Sequence, residues 1–366
     1  AIGVLFEYPA EQERQQHFVK VKRKENSGTA GHRLEVEAAA AKHSLGVGFI
    51  GAGRFARKFL IPPLVHHSSI RLVGVATATA PSGRRAVDQF GFEYSTGDHH
   101  RILDDSEITA VFIATPHRLH AELAMEAVEA GKTVFVEKPL AIDFEQLQLI
   151  IGKLEKQRSQ SEMLMVGFNR RFSSLVHEMK SFFAGCSEPM VVHYRVNAGF
   201  VETGHWVHDL EIGGGRVIGE VCHFVDLVTH LVPGPIQSVY ASAMRNVGKY
   251  HNDNVSISLR FGDGSVGNIL YLANGNSQVP KERIEVFCQG ATAVLDDFRQ
   301  LLLYRDRKRR RKKIAQDKGH STQISSFVEA VAHNKDVPIP LEESVLSTLV
   351  TLRVLESLQQ DRPLTV

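Results

Sequence analysis

Two short stretches carry residues whose types and spacing suit redox chemistry. In Gly46-Val-Gly-Phe-Ile-Gly51-Ala-Gly53-Arg54-Phe55-Ala56 an apolar run ends in a glycine loop; in Val134-Phe-Val-Glu137-Lys138-Pro139 another ends in an amine and a proline. The loop suits a dinucleotide. Gly51 permits a tight turn, Gly53 lets backbone approach a pyrophosphate, and the small Ala56 lets helix and strand pack closely. The first turn of the following helix, reached through Arg54 and Phe55, would offer free N–H groups and a positive dipole end to the phosphates. Glu137 and Lys138 then fall where the reactive end of the cofactor should lie. A partly desolvated amine there suits proton exchange with a hydroxyl, and Pro139 fixes the backbone that aims it. A dinucleotide and a proton carrier in one crevice imply an oxidoreductase.

The choice between NAD and NADP stays open. An acidic residue at the end of the second strand would grip the ribose of NAD, but the chain reads Val75-Ala-Thr77-Ala-Thr79-Ala-Pro-Ser82-Gly-Arg84-Arg85. Thr77 or Ser82 could bond a ribose or a phosphate. Arg84 or Arg85 could meet a 2′-phosphate, or both could be solvated residues of the next helix.

The elements that must position these groups follow from the hydrophobic pattern. Val47–Ile50, Leu72–Ala76, Val111–Ala114, Val134–Val136 and Leu164–Val166 are short apolar runs of the kind buried parallel strands show. Helical stretches separate them. The clearest is His120–Ala130, closed by Gly131. Alternating strand and helix predicts an N-terminal Rossmann domain over 45–167, with a doubly wound parallel sheet. From residue 168 to 366 the texture changes. Met190–Val196, Ile236–Ala243, Val255–Phe261, Ser265–Leu272, Ile284–Gln289 and Thr292–Asp296 read as longer strands. They predict an α+β domain with a large open, mostly antiparallel sheet, a helix over Gly219–Leu231 and closing helices over 322–333 and 341–359. Residues 1–44 read as a strand (Ile2–Tyr8) and a linker over Glu11–Ala41.

Composition narrows the class. The chain has 366 residues, 43% hydrophobic and 23% charged, with a net charge of +2, so neither nucleic acid nor an anionic membrane surface is an expected partner. The Lys308-Arg-Arg-Arg-Lys-Lys313 run reads as a solvated hairpin loop, because no aromatic stacking set flanks it. No apolar run approaches the roughly 20 residues of a membrane span. Cys186, Cys222 and Cys288 are few and scattered, which fits the reducing cytoplasm.

Taken in order, Gly51-Ala-Gly53-x-x-Ala56, Thr115-Pro116-x-x-x-His120 and Glu137-Lys138-Pro139 resemble the glucose-fructose oxidoreductase / inositol dehydrogenase (Gfo/Idh/MocA) family, over about residues 45–366. The resemblance implies NAD(P)-dependent hydride transfer at a secondary alcohol of a sugar, nucleotide sugar or cyclitol, with Lys138 as the catalytic lysine. It also implies that Thr115, Pro116 and His120 line the nicotinamide pocket, and that the open sheet forms a homo-oligomer interface. On the residues alone, Thr115 or His117 could simply cap the next helix. A finer likeness rests on Val166-Gly-Phe-Asn169-Arg-Arg171-Phe, His205-Trp206-x-His208-Asp209 and the Gly213–Asp226 stretch. It points to the C-terminal half of bacterial two-domain oxidoreductases, often in surface-polysaccharide settings, in which a zinc alcohol-dehydrogenase-like module comes first. Residues 1–9 would then be the last strand of that module.

The family carries a carboxylate and, four residues later, a histidine on the helix entering the second domain; the matching positions are Gly219 and His223. The histidine is present and the carboxylate is not, so Glu220 or Asp226 is the expected support for His223. His205, Trp206, His208 and Asp209 offer an aromatic face and polar groups that suit a sugar ring. Asn169 and Arg171 could bind an anionic group of substrate or be paired structurally. No Cys or Glu completes a metal spacing with the histidines, so no metal is expected. Two alternatives stand beside simple dehydrogenation: redox-assisted elimination or glycoside cleavage with NAD recycled, and a dinucleotide-binding partner without turnover.

Overall fold

The computed structural model describes residues 18–20, 45–155, 163–246 and 248–366. The first sheet contains β1 (Phe18–Lys20), β2 (Leu45–Ile50), β3 (Ile70–Ala76), β4 (Tyr94–Thr96), β5 (Ala110–Ile113), β6 (Thr133–Val136) and β7 (Leu164–Val166). Their order is β1-β4-β3-β2-β5-β6-β7. All neighbours are parallel except β1, which pairs antiparallel with β4. Strand order reverses at β2, so a crevice opens between the carboxyl ends of β2 and β5, where such sheets bind ligands. The buried faces explain the near-continuous apolar runs. Phe49, Phe112 and Phe135 stack across β2, β5 and β6 with centroids 4.9 and 5.0 Å apart.

The second sheet contains β8 (Val191–Asn197), β9 (Ile236–Ala243), β10 (Asn254–Phe261), β11 (Val266–Leu272), β12 (Glu282–Cys288), β13 (Ala291–Asp296), β14 (Gln300–Arg305), β15 (Lys308–Lys313) and β16 (Leu364–Thr365). It runs β15-β14-β13-β12-β8-β11-β10-β9-β16. Only β8 and β11 are parallel neighbours. One face is covered by the helices Ser174–Phe182, Cys222–Leu231 and Leu341–Gln360, and the strands alternate buried and exposed residues accordingly.

Four expectations are corrected. The segment over Glu11–Ala41 was expected to be linker throughout, yet Phe18–Lys20 extends the first sheet; the rest of residues 1–44, including the strand expected over Ile2–Tyr8, lies outside the described residues. The short β4 was not expected; three residues carry too little pattern to show a period. The basic run is a strand, not a loop. The turn sits one step earlier, where Asp306 and Arg307 both adopt positive φ, as a two-residue hairpin turn requires. All six residues of β15 are exposed at the sheet edge, where a row of charge guards against further strand pairing. Finally, the helix His320–Ala332 belongs to the Rossmann core although it follows the second sheet in sequence. Its Phe327 meets Phe112 and Phe135 edge-on at 5.3 and 5.6 Å. After this helix the chain returns to the second sheet with β16.

Candidate active site

The glycine loop follows β2 as expected. Gly51 has φ +93°, and a Cβ there would lie 2.4 Å from the Ala114 carbonyl oxygen. Only glycine fits, because β5 passes so closely. Gly53 differs: a Cβ there meets no protein atom within 4 Å. The space in front of it is open, as a pyrophosphate needs. Ala56, fully buried, opens the helical segment Ala56–Leu60, which runs on into Ile61–Val65. Gly53→Val is therefore expected to leave the fold intact and to abolish NAD binding, since the new methyls would fill only the phosphate space. Calorimetric titration with NAD checks this; undiminished affinity would move the phosphates elsewhere.

A cleft of about 330 Å³ lies beyond that loop. It is lined by Phe55, Thr115, His117, Glu137, Lys138, Trp206, Glu220 and His223, among others. Lys138, carried past β6, donates from Nζ to the Gly219 carbonyl at 2.6 Å, so the amine bridges the two domains. Glu137 is buried beside it, and burial pushes its carboxyl up to about 7. Gly167 makes room for that group: a Cβ there would sit 2.8 Å from Glu137 Oε1.

His120 stands behind the lysine. Its Nδ1 is 2.8 Å from the Pro139 carbonyl and its Nε2 is 3.0 Å from the Thr115 carbonyl. Burial pushes the ring down to about 4, so it is neutral at pH 7 and donates to one carbonyl at a time. It ties the loop after β5 to the loop after β6. Thr115 Oγ1 is buried with no partner among the described residues. Such an atom in a cleft wall suits a bound group.

Several expected site residues have protein partners of their own or are not among the residues that line the cleft. Neither carboxylate supports His223. Asp226 is fully buried and accepts three bonds of 2.7–3.0 Å from Arg171. Glu220 lines the cleft but accepts from Arg216 at 2.9 and 3.0 Å. Although burial opposes it, Lys281 and Arg216 hold Glu220 below its ordinary value. His223 is therefore without a carboxylate, and burial, with the nearby charges of Arg170 and Lys138, holds its ring well below the usual histidine range. Its Nδ1 is buried and has no hydrogen-bond partner among the described residues. Arg171 also pairs with Glu343 and faces away from the cleft. Asn169 donates to the Lys318 carbonyl. His205 caps its own short helix through Val207, while Trp206 reaches the cleft. Arg54 is exposed, Arg84 is exposed and paired with Asp88 at 3.0 Å, and the Thr77 hydroxyl donates to the Thr79 carbonyl.

Three residues of the cleft wall were not singled out in the sequence, although Arg170 and Phe224 lie inside quoted stretches. Arg170 reaches it from the loop after β7, Lys281 from the residue before β12, and Phe224 from the helix Cys222–Leu231. Lys281 comes from a strand start outside every quoted motif, so only the fold reveals it.

A parallel dinucleotide-type sheet, a glycine loop at its switch point and a lysine-bearing cleft against a second, open sheet define a two-domain dinucleotide-binding architecture. Residues 45–168 match the oxidoreductase family model described as an NAD-binding Rossmann fold, and residues 187–294 match the GFO/IDH/MocA C-terminal domain. The chain belongs to the Gfo/Idh/MocA family, and its N-terminal domain is an NAD-binding Rossmann domain. It is 28% identical over 234 residues to levoglucosan dehydrogenase of Pseudarthrobacter phenanthrenivorans, covering 56% of this chain and 59% of that one. An uncharacterized oxidoreductase of Rhizobium meliloti is 32% identical over 172 residues, covering 46% and 51%. The chain thus spans little more than half of either relative. The fold matches that of Lactobacillus casei myo-inositol dehydrogenase, solved with NAD(H) and myo-inositol, with TM-score 0.74, 18% identity and coverage of 88% and 97%.

Proposed function

We propose that the protein oxidises a secondary alcohol of a sugar or cyclitol, or reduces the corresponding ketone. The observation that carries this reading is Lys138, which lines the cleft with its Nζ fixed by the Gly219 carbonyl at 2.6 Å. NAD, held by the loop through Gly51–Ala56, supplies the hydride acceptor. The Thr115 loop and His120 fix the floor of the cleft, and Trp206 offers a ring face to the C–H side of a sugar. In its neutral form the Lys138 amine would take the hydroxyl proton of the substrate while the carbon gives up its hydride to the bound nicotinamide. The names of the relatives, dehydrogenases of levoglucosan and inositol, support a polyhydroxylated ring as substrate.

The test is net NADH formation from NAD with myo-inositol, levoglucosan and common hexoses. Stoichiometric NADH supports the reading. Disappearance of a sugar without net NADH would favour elimination or cleavage with the cofactor recycled. Binding of NAD with no turnover of any panel member would favour a non-catalytic partner.

His223 belongs to this reading as a neutral contact for substrate. His223→Ala is expected to lower kcat/KM by about tenfold or more, as loss of a buried hydrogen-bond partner does. The acid limb of the pH–rate profile should not move with this substitution, because burial holds the ring well below the usual histidine range in its neutral form. A limb that moves with this substitution would show that His223 exchanges protons during the reaction.

A further inference from the structure

His117 stands in the cleft, and the reaction derived above does not use it. Its Nδ1 lies 2.8 Å from the Gly213 carbonyl oxygen. A carbonyl only accepts, so Nδ1 carries the ring proton and Nε2 is left as a lone-pair acceptor. The ring cannot readily turn. The Trp206 indole meets it edge-to-face with centroids 4.7 Å apart. On its other side is Gly219, where a Cβ would fall 2.9 Å from Cε1 and 3.4 Å from Nδ1 of His117. Gly219 is also the residue whose carbonyl holds Lys138. The amine and the imidazole thus meet at one residue that has no side chain, and the imidazole occupies the space a side chain would take.

We infer that His117 Nε2 is a specificity-determining acceptor: it receives a hydrogen bond from a second hydroxyl of the substrate while Lys138 exchanges a proton with the first, so the site selects diols over isolated alcohols. This rests on the reading above. The groups facing the ring are Lys138, His120 and Trp206, with the Gly213 carbonyl on Nδ1. No carboxylate is among them. Burial, helped by the Lys138 charge, pushes the imidazole down to about 3. It is uncharged at any working pH and acts as an acceptor rather than a proton carrier. An acceptor that a bound substrate covers but leaves empty costs binding, so an analogue lacking the second hydroxyl is rejected.

Three substitutions of His117 separate this role from packing. His117→Phe keeps a ring between Trp206 and Gly219 and removes the acceptor. His117→Asn shortens the side chain and keeps an acceptor, and His117→Ala removes both. With NAD and either myo-inositol or levoglucosan as probe, His117→Phe and His117→Ala should lower kcat/KM about 10- to 100-fold with NAD affinity unchanged. His117→Asn should recover part of the loss. Wild-type kcat/KM in His117→Phe, or an Asn variant no better than Ala, would overturn the inference and leave His117 as packing. A wild type inactive on both probes would reject the reading of the function instead. An arm independent of substrate then decides for His117: nitrogen NMR of the imidazole in the NAD-loaded protein. A neutral ring protonated on Nδ1 between pH 6 and 9 is expected; a charged ring, or a proton on Nε2, overturns the acceptor.

Discussion

Lys138→Ala is expected to lower turnover by about 10²–10⁴-fold, the usual loss when a positioned proton carrier is removed, with NAD affinity nearly unchanged. The two readouts separate because the lysine and the phosphate site are held by different elements. Gly51 and Gly53 close β2, whereas Lys138 follows β6 and is fixed by a carbonyl of the second domain at 2.6 Å. Removing the amine also removes a bridge across the cleft, so a small loss of stability is expected. Lys138→Met controls for that loss, because it keeps the aliphatic stem and lacks the donor. If Met and Ala variants both bind NAD and both fail to turn over, the amine itself is needed. Turnover within a few-fold of wild type in the Met variant would sink the proton-transfer role and leave Lys138 as a tie between domains.

The glycine loop, the strand of Lys138 and the alternation of the second sheet were legible because each rests on local pattern. Gly51 needs positive φ, Val134–Val136 need burial on both faces, and residues 254–261 need one face in and one out. The expectations that failed concern partners far apart in sequence. Asp226 lies three residues from His223, one helical turn away, which made it a natural support. Its true partner is Arg171, 55 residues earlier, and no spacing rule contains that choice. Glu220 likewise serves Arg216 and Lys281. His117 was legible only as a possible helix cap, because its neighbours Gly213 and Gly219 come from the other domain. The basic run of β15 misled for a different reason: an edge strand with both faces exposed has no hydrophobic period to show.

Substituting Glu282 is expected to give the largest loss of stability in the described chain. Its carboxylate is fully buried at the start of β12. It accepts from Arg170 Nε at 2.8 Å and Nη2 at 2.9 Å, from Lys318 Nζ at 2.6 Å, and from the Tyr194 hydroxyl. Two cations and a phenol from three other elements thus converge on one anion. Glu282→Ala leaves Arg170 and Lys318 without their counter-charge in a desolvated site, which costs about 3–5 kcal/mol when a buried pair is broken. Glu282→Gln keeps the volume and loses the charge, so a similar cost there assigns the effect to electrostatics rather than to a cavity. Against its own burial, Arg170 and Lys318 hold this carboxyl well below the usual carboxylate range. A depressed carboxyl contributes stability above its unfolded pKa of about 4.3, and that contribution is lost as pH falls below it. The wild type should therefore lose stability steeply below pH 4, and Glu282→Gln should flatten that slope while starting from a lower value. Because Arg170 also lines the cleft, kcat/KM should fall in the Gln variant even at temperatures where it is folded, with NAD affinity retained. Urea unfolding followed from pH 3 to 8 checks the linkage. A Gln variant within about 1 kcal/mol of wild type at pH 7, with an unchanged acid slope, would show that Arg170 and Lys318 find other partners or water.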